Sequence, residues 1–135
     1  MLDLATAPYG VLVLRVALGL LFLAHMSVKL FVFKPSGTAQ YFASLGVPGW
    51  MGPLTIVAEL VGGACLILGV VPRYAAIALL PTMLGTIVLV HGKNGWMFSN
   101  TGGGWEFPAF WAVALVVLAL LGDGAAALVP SSILY

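Results

Sequence analysis

The sequence predicts an all-α, polytopic membrane protein: an antiparallel bundle of four transmembrane helices with a short interfacial helix between the first and second spans. Of its 135 residues, 62% are hydrophobic and 7% are charged, whereas a soluble domain carries several times as many charges. Four apolar runs approach the roughly 20 residues that a helix needs to cross a bilayer. The net charge of +1 gives no indication of nucleic-acid binding, so the expected partners are lipids, membrane proteins and lipophilic molecules.

Glycine, proline and charged residues bound these four runs. The predicted spans cover approximately residues 9–31, 53–71, 74–91 and 106–121. They leave no length for a second domain, so we expect one integral membrane domain over residues 1–135. The first run is too long for a signal peptide and lacks a preceding basic region, so we expect it to be retained in a multi-pass protein of the bacterial plasma membrane.

The segments between the spans differ in character. "KPSGTAQYFASLGVPGW" contains Ser36 as an expected N-cap and Gly46 and Pro48 as a stop signal, which predicts a short helix on the membrane surface. "GVVPRYA" allows only a tight reversal, so the second and third spans should be antiparallel neighbours. "GKNGWMFSNTGGGW" is longer and rich in glycine and aromatic residues, which favours a loop that covers something.

Small residues indicate how the second span packs. Ala58, Gly62, Cys65 and Gly69 follow helical spacing, which predicts a stripe that faces other helices. Pro81 lies in the middle of the third span and predicts a kink. Because the chain has one cysteine, it cannot exchange an internal dithiol, and Cys65 is interpreted as a packing residue.

Three ionisable residues stand inside the apolar runs. His25 and Lys29 lie one turn apart on the first span, and Glu59 lies within the second. If the spans alternate in direction, His25 and Glu59 each lie about 9 Å from the same side and can pair. An ionised side chain facing lipid costs at least about 2.5–3.5 kcal/mol, so all three should face the interior and neutralise one another. Glu59, His25 and Lys29 are the predicted catalytic residues, although a core histidine satisfied by one carboxylate would show the same pattern.

Further polar and aromatic residues are predicted to bind a ligand around this pocket. They are Arg15, His91, Asn94, Trp96, Trp105 and Glu106. Arg15 lies toward the opposite side, where it either snorkels as an orientation anchor or reaches Asp123. Lys29 and Glu106 are also close enough to the interface to snorkel. The two tryptophans fit an interfacial aromatic belt equally well.

A short internal similarity raises the question of a bound metal. "LGLLFLAH" at 18–25 and "LGTIVLVH" at 84–91 match at four of eight positions and would place His25 and His91 on parallel helices. Two histidines in such positions are able to ligate haem. No further ligand spacing supports this interpretation. Haem is therefore disfavoured, no metal site is predicted, and no cofactor is firmly implied, although a quinone fits the polar pocket.

Several motifs together resemble those of the DoxX family of four-helix bacterial membrane proteins. They are "RVALGLLFLAHMSVKLF", "AELVGG", "HGKNGWMF" and "GGGWEFPAF", from about Leu14 to Leu121. The positions that match the recurrent residues of the family are Arg15, Gly19, Lys29, Glu59, Gly62, Gly63, Asn94, Gly95 and Glu106. Met26 and Trp105 depart from the usual glycine and tyrosine. The family is similar to the small membrane subunit of an archaeal thiosulfate:quinone oxidoreductase, which implies a redox association.

Three functions therefore remain open. The favoured function is a redox-associated subunit that binds a quinone and receives electrons from a partner oxidoreductase, so the chain would not be a complete enzyme alone. In this function Glu59 and His25 handle protons, and Lys29 stabilises the reduced oxygen. The alternatives are a carrier or channel for a small solute or proton, and a membrane scaffold or assembly factor. Each is compatible with a homo-oligomer. Lys34 and Lys93 on the pocket side, against Arg73 on the other, lean toward a cytoplasmic pocket.

Overall fold

The computed structural model describes residues 3–135, and within that range the chain is helical, with no named strand. The helices are α1 (Ala7–Ser27), α2 (Lys34–Ser44), α3 (Met51–Leu68), α4 (Pro72–Thr86) and α5 (Glu106–Leu121). Three continuous helical segments are long and apolar enough to cross a membrane, namely Ala7–Val32, Met51–Leu68 and Pro72–Asn94. The helix α5 is apolar but shorter, with 16 residues. The all-α class is confirmed.

Two of the long helices end in wide turns. The helix α1 continues as a π-helical turn over Val28–Val32, and α4 continues as another over Ile87–His91 before a short 3₁₀ turn at Gly92–Asn94. A π-helical turn takes up one residue more than an α-helical turn, and such turns are frequent at functional sites. Lys29 lies in the first wide turn and His91 ends the second, so both polar residues occupy the irregular ends of apolar helices.

Close backbone approach joins α3 to its neighbours. A Cβ atom added at Gly19 of α1 would lie 2.7 Å from the carbonyl oxygen of Gly63, and one added at Gly62 would lie 2.7 Å from the side chain of Leu79 in α4. Only glycine permits these contacts, which is the expected mode of packing for membrane helices. The predicted stripe is therefore correct at Gly62, and Cys65 packs against the buried core as expected.

The remaining helix contacts complete the core. The helix α4 packs along α5, and α1 also contacts α5, where the rings of Phe22 and Trp111 lie 4.9 Å apart. The fully buried side chains of Leu66, Leu79 and Leu118 belong to the same apolar cluster. These side chains fill the space between α1, α3, α4 and α5.

The reversal between α3 and α4 is tight, as predicted. Gly69 ends α3 in the left-handed conformation with φ of 71°, which glycine adopts without steric cost. The segment after α5, to which sequence reasoning assigned no element, returns to this turn: the amide of Val129 donates to the oxygen of Gly69 at 3.0 Å. The amide of Ala125 donates to the oxygen of Pro8 at 2.9 Å. The C-terminal segment therefore fastens the starts of α1 and α4.

The predicted helix between the first and second spans is present as α2, but its start differs. Phe33 occupies the N-cap position, and Ser36 lies inside the helix, so the Ser36 cap is wrong. The chain enters α2 directly from the wide turn of α1 through Lys34, whose φ is 62°. The expected stop is correct, because α2 ends before Gly46, whose φ is 85°. Because Lys34 itself adopts the left-handed conformation, no separate turn caps the start of α2.

Candidate functional site

A partly buried ion pair joins the wide turn after α1 to α3. Lys29 Nζ lies 2.5 Å from Glu59 Oε1, and the Glu59 side chain is 1% exposed while that of Lys29 is 23% exposed. The predicted pairing of Glu59 with His25 is therefore wrong. His25 instead turns toward α5, where its ring lies edge-on to Trp111 at 4.9 Å. The depth count matched Glu59 to His25 because the two lie equally far from one side of the membrane. Lys29 lies nearer that side, but its long flexible side chain reaches Glu59.

Two buried polar atoms close to this pair have no hydrogen-bond partner among the described residues. They are Glu59 Oε2 and the indole Nε1 of Trp111. Leaving a buried polar atom unpaired costs about 1–3 kcal/mol, so proteins rarely do so without a function or a bound molecule to satisfy it. Glu59 Oε2 is an acceptor on the residue that pairs with Lys29, and Trp111 Nε1 is a donor on the residue that contacts His25.

A cavity of about 900 Å³ lies beside the ion pair. Four helices contribute to its wall. The lining residues are His25, Lys29, Phe33, Thr38, Tyr41, Phe42, Leu45, Met51, Leu54, Thr55, Ala58, Ala78, Pro81, Thr82, Gly85, Thr86, Leu89, Val90 and His91. Glu59 is absent from this wall, so Lys29 stands between the carboxylate and the cavity. Mainly apolar walls with a few polar groups are typical of small-molecule sites.

The hydroxyl groups of this wall were missed by sequence reasoning. Thr55, Thr82 and Thr86 donate within their own helices to the oxygens of Met51, Leu79 and Thr82 at 2.8, 2.6 and 2.8 Å. Their oxygens keep acceptor capacity for a ligand. The spacing of Thr82 and Thr86, one turn apart beside Pro81, is a signal that was available in the sequence.

The helix α2 also contributes to the cavity. Thr38 is buried and donates to the backbone oxygen of Lys29 at 3.1 Å, and it lines the cavity together with Tyr41 and Phe42. A Cβ at Gly52 would lie 2.9 Å from the backbone of Thr38, so α2 crosses the start of α3 closely. The position of α2 could not be inferred from its amphipathic pattern alone.

The loop after α4 is fastened to His91 and Asn94. His91 Nδ1 lies 2.8 Å from the oxygen of Gly103, and Asn94 Nδ2 donates to the oxygens of Gly102 and Gly103 at 3.1 and 2.9 Å. The loop predicted to cover something therefore lies against a residue of the cavity wall. Asn94, predicted to bind a ligand, is occupied by the loop and lies outside the cavity lining.

Trp96, Trp105 and Glu106 do not reach this cavity. The two indole rings contact each other edge-on at 4.6 Å, and Glu106 Oε1 accepts a hydrogen bond from the amide of Phe98 at 2.7 Å. Trp96 and Glu106 line a separate depression of about 510 Å³ with Phe98, Phe107, Ala109, Phe110 and Val113. Of the predicted ligand-binding residues on this side, His91 lines the first cavity, Trp96 and Glu106 line the second depression, and Asn94 and Trp105 line neither.

Arg15 lies in the first half of α1, away from Lys29, and is 1% exposed. Its Nη1 donates to the backbone oxygen of Asp123 at 2.9 Å, and its Nη2 donates to the oxygens of Ala125 and Ala126, both at 3.2 Å. The predicted contact with Asp123 is present through the carbonyl group, while the Asp123 carboxylate accepts from the amide of Ser131 at 2.8 Å. Arg15 belongs to the lining of neither cavity described above.

Across residues 3–135, no group of three or more His, Cys, Asp or Glu side chains is arranged to hold a metal ion. A family model described as DoxX matches residues 10–92, which include Arg15, the ion pair and His91. The chain belongs to the DoxX family. The resemblance inferred from the motifs is therefore confirmed.

Curated DoxX-type relatives cover most of the chain. It is 32% identical over 121 residues to "Putative oxidoreductase CatD" of Bacillus subtilis, covering 90% of this chain and 85% of that protein. It is 36% identical to the inner membrane protein YqjF of Escherichia coli, over 66% of this chain and 71% of the relative. The inner membrane protein YphA of Escherichia coli is 32% identical over 92% of this chain and 91% of its own length. No solved structure matches the chain.

These findings settle where this DoxX protein is located. Three helices are apolar and long enough to span a bilayer, and two relatives are named as inner membrane proteins. The chain is therefore a multi-pass protein of the cell membrane, as predicted, and the bilayer is its immediate environment.

Proposed function

We propose that this DoxX protein is a redox-associated membrane subunit that binds a quinone in the cavity beside Lys29 and works with a partner oxidoreductase. The observation that carries the proposal is the ion pair: a lysine on the wall of a mainly apolar cavity of about 900 Å³, held by a carboxylate that is 1% exposed. An ion pair in apolar surroundings is costly, and in membrane proteins it usually marks a functional site.

The chemistry of the wall fits such a ligand. The apolar side chains of α3 and α4 suit a flat ring and an isoprenoid tail, and the Lys29 ammonium group is a donor for a ring oxygen. Behind Lys29, the unpaired Oε2 of Glu59 is an acceptor without a partner among the described residues. His25 also lines the cavity. A donor and proton-exchanging groups therefore stand at one end of an apolar space.

Reduction of a quinone to a quinol consumes two electrons and two protons. The partner oxidoreductase supplies the electrons, since one cysteine cannot form an internal dithiol. Lys29 orients the ring oxygen and favours the negative charge that develops there. Glu59 holds Lys29 in place at 2.5 Å and passes protons to the ring through it, while His25 exchanges protons with the ring from the cavity wall. The name of the Bacillus subtilis relative, an oxidoreductase, supports a redox role.

The same proposal includes the membrane arrangement. The helix α5 serves as the fourth span of an antiparallel bundle: its 16 residues extend for about 24 Å, and Trp96 and Trp105 in the preceding loop suit the interface. The helix α2 lies at the membrane surface over the cavity, and the whole chain forms one integral membrane domain. A tail then enters the cavity from the lipid phase.

The ligand is tested by purifying the protein in mild detergent with its native lipids and extracting any bound quinone. Wild type should retain quinone in near-stoichiometric amount and show its ultraviolet change on reduction. Glu59→Gln should lose about tenfold or more of the bound quinone, because Lys29 loses its charged partner. Glu106→Gln is the matched control, since its carboxylate contacts the amide of Phe98 outside the cavity.

The outcomes decide whether the quinone proposal stands. Wild type that neither retains quinone nor binds added quinone overturns the proposal. Equal retention by the Glu59 and Glu106 variants also overturns it, because the ion pair would then not be part of the site. Visible haem bands in wild type would replace the quinone site by the disfavoured two-histidine interpretation.

A further inference from the structure

His91 is one of several polar residues at the wall of the cavity. It ends the wide turn Ile87–His91, and its Nδ1 lies 2.8 Å from the oxygen of Gly103. Because a carbonyl oxygen only accepts hydrogen bonds, Nδ1 must carry the proton, so a neutral His91 has its lone pair on Nε2. The loop therefore selects the tautomer of the ring.

The loop covers one edge of the His91 ring. A Cβ at Gly103 would lie 3.5 Å from both Nδ1 and Cε1 of His91, so this edge faces the loop. Asn94 donates to the same Gly103 oxygen at 2.9 Å, which holds that carbonyl in place. Within residues 3–135, Nε2 of His91 has no hydrogen-bond partner, and His91 lines the cavity. An acceptor is therefore left for a ligand.

We propose that Nε2 of His91 accepts a hydrogen bond from a hydroxyl group of the quinol, so that the site prefers the reduced over the oxidised ligand. This inference rests on the proposed function. The Lys29 ammonium group donates to a ring oxygen in either form, whereas a neutral acceptor needs an O–H donor, which a quinone ring oxygen lacks. The cavity thus has a donor at Lys29 and an acceptor at His91, which matches a ring with two oxygens.

A preference for the quinol changes the potential of the bound pair. A ligand that binds more tightly when reduced becomes a stronger oxidant when bound. A tenfold preference corresponds to a rise of about 30 mV in the two-electron midpoint potential. Electron transfer from the partner into the bound quinone is favoured to that extent.

Two substitutions at position 91 separate the acceptor from the attachment of the loop. His91→Asn keeps an amide N–H near the position of Nδ1, where it can still donate to Gly103, but removes the atom at the position of Nε2. His91→Gln places an amide oxygen near Nε2 but loses the bond to Gly103. Their affinities for decylubiquinone and decylubiquinol are measured anaerobically in lipid nanodiscs by calorimetry, with thermal unfolding as the check on folding.

We expect His91→Asn to lose about three- to tenfold in affinity for the quinol, the value of one hydrogen bond, and less than about twofold for the quinone. His91→Gln should retain the preference for the quinol. Equal affinities of wild type and His91→Asn for the quinol, or an equal loss for both ligands, overturn the inference while leaving quinone binding intact. Retention by the Asn variant with loss in the Gln variant assigns only a loop-holding role and also overturns it. Wild type that binds neither ligand overturns the proposed function itself.

Discussion

The helical segment Ala7–Val32 carries one cation in its first half and another near its far end, and the two are bound in different ways. Arg15 is 1% exposed and its two terminal nitrogens bind three backbone oxygens of the C-terminal segment. Lys29 is 23% exposed, lines a cavity, and has a carboxylate partner with one oxygen unpaired among the described residues. Each place keeps one buried polar atom without a partner among the described residues, Arg15 Nε in the first and Glu59 Oε2 in the second, but only the ion pair of Lys29 lies beside a cavity. Burial alone does not indicate a site, but incomplete pairing beside a cavity does.

The largest effect is expected at the ion pair beside the cavity. Lys29→Met leaves Glu59 without its counter-charge and should lower the free energy of unfolding by about 3–5 kcal/mol. The double variant Lys29→Met/Glu59→Gln removes both charges and should recover most of this stability without recovering quinone binding. Thermal unfolding and calorimetric ligand binding on the single and double variants measure the two quantities separately. Recovery of quinone binding in the double variant would show that the site does not need the ion pair, and the contrast between Lys29 and Arg15 would be lost.

An intermediate effect is expected at Arg15. Arg15→Lys keeps the charge but replaces a rigid fork by a single ammonium group, so at least one charged hydrogen bond to the C-terminal segment is lost. The expected destabilisation is about 1.5–3 kcal/mol, with ligand affinity unchanged. Hydrogen exchange should increase at residues 123–131 and remain unchanged around His91. Loss of ligand affinity at equal stability would make Arg15 part of the site after all.

The smallest effect is expected at Asp3, which is fully exposed before α1. The amide of Ala5 and the hydroxyl of Thr6 donate to its carboxylate, both at 2.9 Å, and these bonds hold its pKa below the usual 3.8. The folded protein therefore binds this proton less readily than the unfolded chain, so the small stabilisation is present above pH 3.8 and is lost as pH falls through the folded pKa. NMR titration of Asp3 should give the lowered value, and Asp3→Asn should leave the unfolding midpoint nearly unchanged. An elevated pKa would contradict this.

The sequence predicted the helices well because apolar runs of sufficient length have few alternatives in a bilayer. The small-residue spacing around Gly62 likewise indicated a helix contact that the structure contains. The partner of Glu59 could not be inferred in the same way. Depth counting treats a side chain as a point on a regular helix, whereas the wide turn at Val28–Val32 and the long stem of Lys29 both depart from that description.

The sequence predicted the charged residues of the candidate site but not which residues line its cavity. Glu59 is paired with Lys29, and His25 lines the same cavity as Lys29. Of the predicted residues in and after the loop, Trp96 and Glu106 line a second depression, where Glu106 binds the backbone at Phe98, and Asn94 and Trp105 line neither. The turn at Lys34 that carries α2 over the cavity has a positive φ of 62°, which no local pattern indicates for lysine. Tertiary packing, which local sequence does not encode, determined these positions.

The hydrogen bond from the Ala125 amide to the Pro8 oxygen, 2.9 Å long, has a consequence for topology mapping. It holds the beginning of the first helix and the segment beyond the last one at the same face, away from Lys29 and His91. Labels attached close to Pro8 and to Ala125 should therefore report the same compartment. One accessibility measurement with a membrane-impermeant reagent then identifies the opposite compartment as the one toward which Lys29 and His91 are oriented.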